Sequence, residues 1–273
     1  MTDISRKDFI KSSGLGLAGL ALHTGFTSPS NAQTMATTFK NVRLETGFIF
    51  ENEEVIGTKT ELFTVKLKDG KIESIGANTP NSNAVDAKGL LMLPAFRDMH
   101  IHLDKTYYGD HWQAVRKRTG GIKGMIALEQ KVLPELLKTS TFKAEKLIEL
   151  LQSKGSSFAR SHVNIEPTSK LDSLKHLQKA LENKNKTFGA ELVAFPQHGV
   201  FYTETAPYLK EAAQMDIDFI GGVDPFTVDG AIEKTMDFTV QLALDYKKGI
   251  DVHLHESGES GLKTVEYLID KVN

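Results

Sequence analysis

The spacing of hydrophobic positions changes near residue 93. Before it, short runs alternate apolar and polar residues, at Val42-Arg43-Leu44, Leu62 to Leu67 and Ile72 to Ile75, which is the period of half-buried strands. Asp69-Gly70 separates the last two and is the dipeptide that a two-residue hairpin turn demands. After residue 93, short apolar strands alternate with stretches in which apolar residues recur every three or four positions. The predicted strands are Leu91 to His102, Phe158 to Ile165, Glu191 to Phe195, Ile217 to Val223 and Ile250 to His255. Helical patterns cover about residues 124–137 and 142–155, and recur at Leu171, Leu174, Leu177 and Leu181, at Ile232, Met236, Val240 and Leu244, and at Leu262, Val265, Leu268 and Val272. From the second strand onward each strand starts roughly 30 residues after the last, the length of one βα unit.

A closed (β/α) barrel needs eight such units, and about five are present. The predicted fold is therefore α/β: an incomplete (β/α)8 TIM-type barrel over residues 93–273, preceded by part of a small β-sandwich over residues 38–92. An open five-stranded sheet leaves its first and fifth strands unpaired and an apolar face in water, so the expectation is a truncated chain rather than a self-sufficient domain. A doubly wound open sheet competes with this reading, but it requires a nucleotide-binding loop, and the chemically interesting residues fall instead at carboxyl ends of strands.

Composition narrows the function classes. A formal net charge of -2 over 273 residues gives no electrostatic reason to expect nucleic acid or an anionic membrane as partner. There is no cysteine, which removes disulfides, thiolate metal sites and thiol nucleophiles and leaves histidine and carboxylate as the strong metal ligands. Residues 1–32 read as a leader rather than as fold: Ser5-Arg6-Lys7-Asp8-Phe9-Ile10-Lys11 precedes a small-residue apolar stretch, and Ser30-Asn31-Ala32 offers a cleavage site. That stretch is too short and glycine-rich to be a stable membrane anchor. A small-molecule substrate is the expected partner, and a homo-oligomer is compatible with the sequence.

Two His-x-His pairs carry the chemistry. Alternation along a strand puts Asp98, His100, His102 and Asp104 on one side, with Met99, Ile101 and Leu103 opposite. Burying two imidazoles and two carboxylates on such a strand is too costly unless something pairs with them, and a divalent metal ion does so. His253 and His255 repeat the spacing at the end of the last predicted strand.

The run Pro94 to Thr106, with His100-Ile101-His102-Leu103-Asp104-Lys105-Thr106 at its end, resembles the first-strand signature of the amidohydrolase superfamily and is closest to its cytosine deaminase group. The segments Arg160-Ser161-His162-Val163, Phe195-Pro196-Gln197, Gly221-Gly222-Val223-Asp224-Pro225 and Asp251-Val252-His253-Leu254-His255-Glu256 are similar to later segments of that family. The resemblance implies one divalent ion, Zn or Fe, held by His100, His102 and His253, with Glu256 as the acid/base group and Gln197 holding a pyrimidine-like ring by its paired donor and acceptor. It places His162 beside the ligands rather than among them. His255 would orient Glu256 or substrate, and Asp224 either supports the site or caps the next helix. The implied reaction is hydrolysis of a C–N bond, in which an activated water attacks a ring or amide carbon and ammonia or an amine leaves. The resemblance also places a further His and an Asp of the site on sixth and eighth strands that are not among the five, which implies that the chain is inactive as it stands. Likewise, the opening residues resemble a twin-arginine export signal with Lys7 in place of the second arginine, which implies an exported protein, or a cytoplasmic one if the signal is silent. Two other classes stay open: a non-catalytic, metal-binding exported protein, and a small-molecule binding protein of the periplasmic type.

Overall fold

The computed structural model describes residues 37–112 and 120–272. The predicted leader and residues 113–119 lie outside them. The chain divides into two compact units between Phe96 and Arg97.

The first unit is a four-stranded mixed sheet in the order β3-β2-β1-β4, built from β1 (Thr37–Glu51), β2 (Glu54–Lys68), β3 (Lys71–Ala77) and β4 (Val85–Asp86). Strands β2 and β3 close around Asp69 and Gly70 at φ 53° and 72°, the left-handed pair of a type I′ turn. A second such turn, Asn52 and Glu53 at φ 47° and 68°, joins β1 to β2. Both strands run well beyond the predicted Val42–Leu44 and Leu62–Leu67. Register shifts at Phe39/Val42, Glu45/Gly47 and Ile49/Phe50 break the period of two, and that is why the outer halves were not legible as strands. Leu91 bridges to Arg43 in this unit. The predicted strand Leu91–His102 is thus too long at its start: Pro94 has no N–H to give a ladder, and the strand proper begins at Phe96.

The second unit is a parallel sheet in the order β5-β6-β7-β8-β9. Its strands are β5 (Phe96–Ile101), β6 (Ser156–Asn164), β7 (Gly189–Phe195), β8 (Phe219–Val223) and β9 (Gly249–His253). Helices α1 (Gly121–Leu137) and α2 (Ser140–Ser153) precede β6, while α3 (Asp172–Lys184), α4 (Ala206–Ala213), α5 (Ile232–Tyr246) and α6 (Glu259–Val272) follow β6 to β9 in turn. Helix α4 was not predicted, since eight residues hold too few turns for a helical period to stand out. The core lies between the sheet and its helices, where Ile148, Leu174, Leu177 and Leu209 pack with Ala159, Val163, Leu192 and Ile220. Each such side chain contributes about 1.5–3 kcal/mol by leaving water. At Gly221 a Cβ would sit 2.8 Å from the Ala194 carbonyl oxygen, so only glycine lets β8 lie this close to β7.

A flat sheet would hold its first and fifth strands about 19 Å apart, four strand spacings. Instead the rings of His100 on β5 and His253 on β9 have centroids 4.5 Å apart. The sheet is curled into a half-barrel, an incomplete TIM-type barrel, with the carboxyl ends of its strands converging.

Candidate metal centre

Four histidines meet at that convergence. His100 lies on β5, His102 just past its end, His162 within β6, and His253 closes β9. One nitrogen from each ring lies within 4.8 Å of the others. The His162 ring is 4.6 Å from His100 and 4.4 Å from His253, and His102 is 5.5 Å from both His162 and His253. Phe195, at the end of β7, packs its ring 4.2 Å from His253 and 5.5 Å from His102, so one flank of the cluster is apolar.

Burial sets the protonation state. It drives the His102 pKa down to about 3, helped by the Lys105 ammonium and the neighbouring imidazoles. His253 is likewise pushed down to about 3, first by burial and then by His162 and His100. Both are neutral at pH 7. Nδ1 of His102, Nδ1 of His162 and both ring nitrogens of His253 are buried without a hydrogen-bond partner. Each such atom costs about 1–3 kcal/mol if left unpaired. Neutral imidazoles with bare, converging nitrogens fit a divalent cation of the Zn or Fe type.

His162 sits inside this group, closer than the sequence reading placed it. Its Nε2 meets Asp251 Oδ1 at 3.1 Å, and Asp251 also accepts Arg160 Nη1 at 3.0 Å. The hydrogen bond from His162, aided by Arg160, holds Asp251 down to about 2 against the effect of burial. An ionised carboxylate can only accept, so Nε2 of His162 is the nitrogen that donates to it.

The carboxylates predicted on the same face do not join the rings. Asp98 Oδ1 accepts the His100 N–H at 3.2 Å. Asp104 lies past the end of β5, where alternation no longer applies; its Oδ2 accepts the Asn164 N–H at 2.9 Å, and burial pushes its pKa up to about 6. Nor is the β5 face uniformly buried. His100 is exposed and Met99 is 42% exposed, because β5 stands at an edge of the sheet.

The loop after β9 is gripped by Asp224, which follows β8 and is buried. Its Oδ1 accepts the N–H of His255 at 2.6 Å and of Glu256 at 3.2 Å, and its Oδ2 meets His255 Nδ1 at 2.8 Å. Asp224 therefore does not cap the next helix, whose N-cap is Ala231. His255 is exposed and outside the four-ring group. Glu256 Oε1 accepts the Thr227 N–H at 2.7 Å, while its Oε2 is buried with no partner.

Gln197, two residues past β7, accepts a hydrogen bond from Lys105 Nζ at 2.7 Å through Oε1. Lys105 also donates to Glu129 Oε1 at 2.9 Å, which takes a further bond from Asn164 Nδ2 at 3.1 Å. His198 Nε2 reaches Glu129 Oε2 at 3.1 Å, and its Nδ1 lies 3.3 Å from Glu166 Oε2, near but poorly aligned. Burial opposes the charge on Glu129, yet His198 and Lys105 prevail and hold it down to about 2. Burial also opposes the His198 cation, but its two carboxylates raise its pKa. Sequence reasoning missed this network. Lys105 and His198 adjoin residues already singled out, whereas nothing about Glu129 on α1 distinguishes it from a solvated helix face.

No protein-family model matches the chain. It is 44% identical to the uncharacterized protein YahJ of Escherichia coli (strain K12), over 98% of this chain and 63% of that one. It is 25% identical to the N-isopropylammelide isopropyl amidohydrolase of Pseudomonas sp. (strain ADP), over 79% of this chain and 55% of that one. The chain thus spans less than two thirds of either relative. Among solved structures, the N-isopropylammelide isopropylaminohydrolase of Burkholderia multivorans superposes with a TM-score of 0.72 at 24% identity, over 86% of this chain and 57% of its own. The 5-methylcytosine deaminase of Klebsiella pneumoniae, liganded with 5-fluorocytosine, gives 0.65 at 26% identity, over 86% and 55%. The chain thus shares its half-barrel fold with solved aminohydrolase and deaminase structures, and these and a curated relative belong to the amidohydrolase superfamily.

Proposed function

We propose that this site hydrolyses C–N bonds of small nitrogen rings or amides, in the manner of a cytosine deaminase, with release of ammonia or an amine. The observation that carries the reading is the set of buried, unpartnered nitrogens on His102, His162 and His253. His100, His102 and His253, with His162 beside them, would hold one Zn or Fe ion, which supplies Lewis acidity and a nucleophilic water at neutral pH. Glu256 is anchored through Oε1, so its free Oε2 is the oxygen that carries a proton to the ring nitrogen next to the attacked carbon. Gln197 orients the ring from the end of β7.

The test has two readouts. Zinc or ferrous ion should load near one equivalent on the 273-residue chain, and His102→Ala and His253→Ala should each abolish loading. The loaded chain is then assayed for ammonia or amine release from aminopyrimidines and aminotriazines, with Glu256→Gln as the control that keeps metal and loses turnover. Loading that survives the histidine substitutions sinks the metal centre. Loading without any release makes the chain a non-catalytic metal binder. We extend the reading to export, which rests on the Ser5–Lys11 run; cell fractionation with and without Arg6→Ala tests it.

A further inference from the structure

We infer that His162 is a fourth ligand to the metal ion, binding through Nδ1, and that Asp251 is the positioning residue that turns its ring. The inference rests on the metal-centre reading and goes beyond it by adding a ligand from β6 and the group behind that ligand.

His162 stands nearer the middle of the cluster than a ligand named from sequence. Its ring lies 4.6 Å from His100 and 4.4 Å from His253, whereas His102 lies 6.0 and 5.5 Å from the same two rings. An ion shared by His100, His102 and His253 is therefore within reach of His162 as well. Four nitrogens around one zinc lie about 3.3 Å apart at ordinary Zn–N lengths, and one nitrogen from each ring already lies within 4.8 Å of the others. Small turns of the rings close the difference. The His162 side chain is wholly buried and its Nδ1 meets no partner. A divalent ion would take that lone pair and displace any proton on it.

The ring is also held for this task. Asp251 on β9 gives one carboxylate oxygen to each neighbour: Oδ1 accepts from His162 Nε2 at 3.1 Å and Oδ2 from Arg160 Nη1 at 3.0 Å. Arg160 is fixed in turn by Glu191, 2.9 Å from its Nε, and by the Phe219 ring, whose centroid is 4.1 Å from the guanidinium carbon. A carboxylate held on both oxygens cannot easily turn away, so the imidazole keeps Nε2 toward Asp251 and leaves Nδ1 for the other rings. A carboxylate on the far nitrogen is the usual device that orients a metal-bound histidine. The hydrolase reading then needs a fifth position on the ion, which zinc sites allow.

X-ray absorption on the zinc-loaded 273-residue chain counts the imidazoles. Four are expected, falling to three in His162→Gly, and three in the unaltered chain overturn the inference. Zinc affinity, measured by competition with a chelator, should drop by more than about a hundredfold in His162→Gly; an unchanged affinity overturns the inference too. Asp251→Asn tests the positioning. Arg160 can only donate, so the amide must turn its oxygen to Arg160 and its NH2 to His162, which forces the ring proton onto Nδ1. Affinity should fall about ten- to a hundredfold, whereas in a His162→Gly background the same change should cost nothing further. An equal loss in both backgrounds overturns the positioning role of Asp251. Should His162→Gly fail to fold, the imidazole counts of the unaltered chain and of Asp251→Asn, expected at four and three, decide. A chain that takes up no zinc overturns the metal centre itself, and with it the hydrolase reading.

Discussion

Two buried polar clusters stand at the same end of one half-barrel and differ in how their atoms are satisfied. In the network of Lys105, Glu129, His198 and Glu166, charges of opposite sign face each other and backbone N–H groups complete the acceptors: Thr168 and Ser169 donate to Glu166 at 2.6 and 2.7 Å. In the histidine cluster burial holds His102 and His253 neutral, and several ring nitrogens have no partner. A network of paired opposite charges fixes geometry, even with His198 Nδ1 poorly aligned to Glu166. A cluster of uncharged rings whose nitrogens converge without partners suits a group supplied from outside. The contrast gives positioning to the first cluster and binding to the second.

The comparison breaks most visibly when a partner is removed from the satisfied side. Glu129→Ala leaves Lys105 and His198 without their shared carboxylate and is expected to cost about 3–5 kcal/mol. By contrast, His102→Leu in the metal-free chain should move stability by no more than about 1 kcal/mol, because the packing lost is offset by removing an unpartnered nitrogen. Urea denaturation of both variants checks the pair, and equal costs would erase the distinction.

Acidity separates the clusters next. The folded pKa of Glu129 is below its ordinary 4.5, at about 2, so its contribution is present above pH 4.5 and is lost as pH falls from there toward 2. That contribution is at most about 3 kcal/mol. His198 is raised above 6.5, so its contribution is complete below pH 6.5 and disappears as pH climbs through its folded value. Unfolding curves of the native chain and Glu129→Gln between pH 2.5 and 9 should converge at the acid end. Parallel curves would mean that the pair does not sense the charge.

On the unsatisfied side the lever is metal. Zinc at about a hundred times its Kd should stabilise the chain by about 2.7 kcal/mol, and the gain should vanish in His253→Ala while persisting in Gln197→Glu. Differential scanning calorimetry with and without chelator measures it. A modest effect is expected at Asp224, held at φ 34°, in the left-handed region that disfavours side chains. Asp224→Ala should cost about 1–2 kcal/mol by freeing the His255 and Glu256 N–H groups, with zinc affinity unchanged because no imidazole of the cluster rests on it.

The parallel strands were readable because a strand buried on both faces carries a short apolar run closed by Gly or Pro punctuation, as in Leu192 to Phe195 before Pro196. The long hairpin of β1 and β2 was not, because its bulges scramble the alternation, and neither was α4, which is too short to show a period. In the site, the two His-x-His pairs announced themselves by spacing along one strand end. Glu129 gave no signal: a glutamate on a helix looks the same whether it faces water or a buried lysine.

Local order, then, belongs to the sequence: the period of each run, the Asp69-Gly70 turn, and the pairs His100/His102 and His253/His255 follow from neighbours a few residues apart. The curl of the sheet decided the rest. It alone brings β5 to β9, draws His162 in among the other rings while Asp104 and His255 stay out, and turns the Gln197 amide by setting Lys105 against it. Contacts across 92 residues of chain depend on how strands twist and pack together, and no local pattern records that.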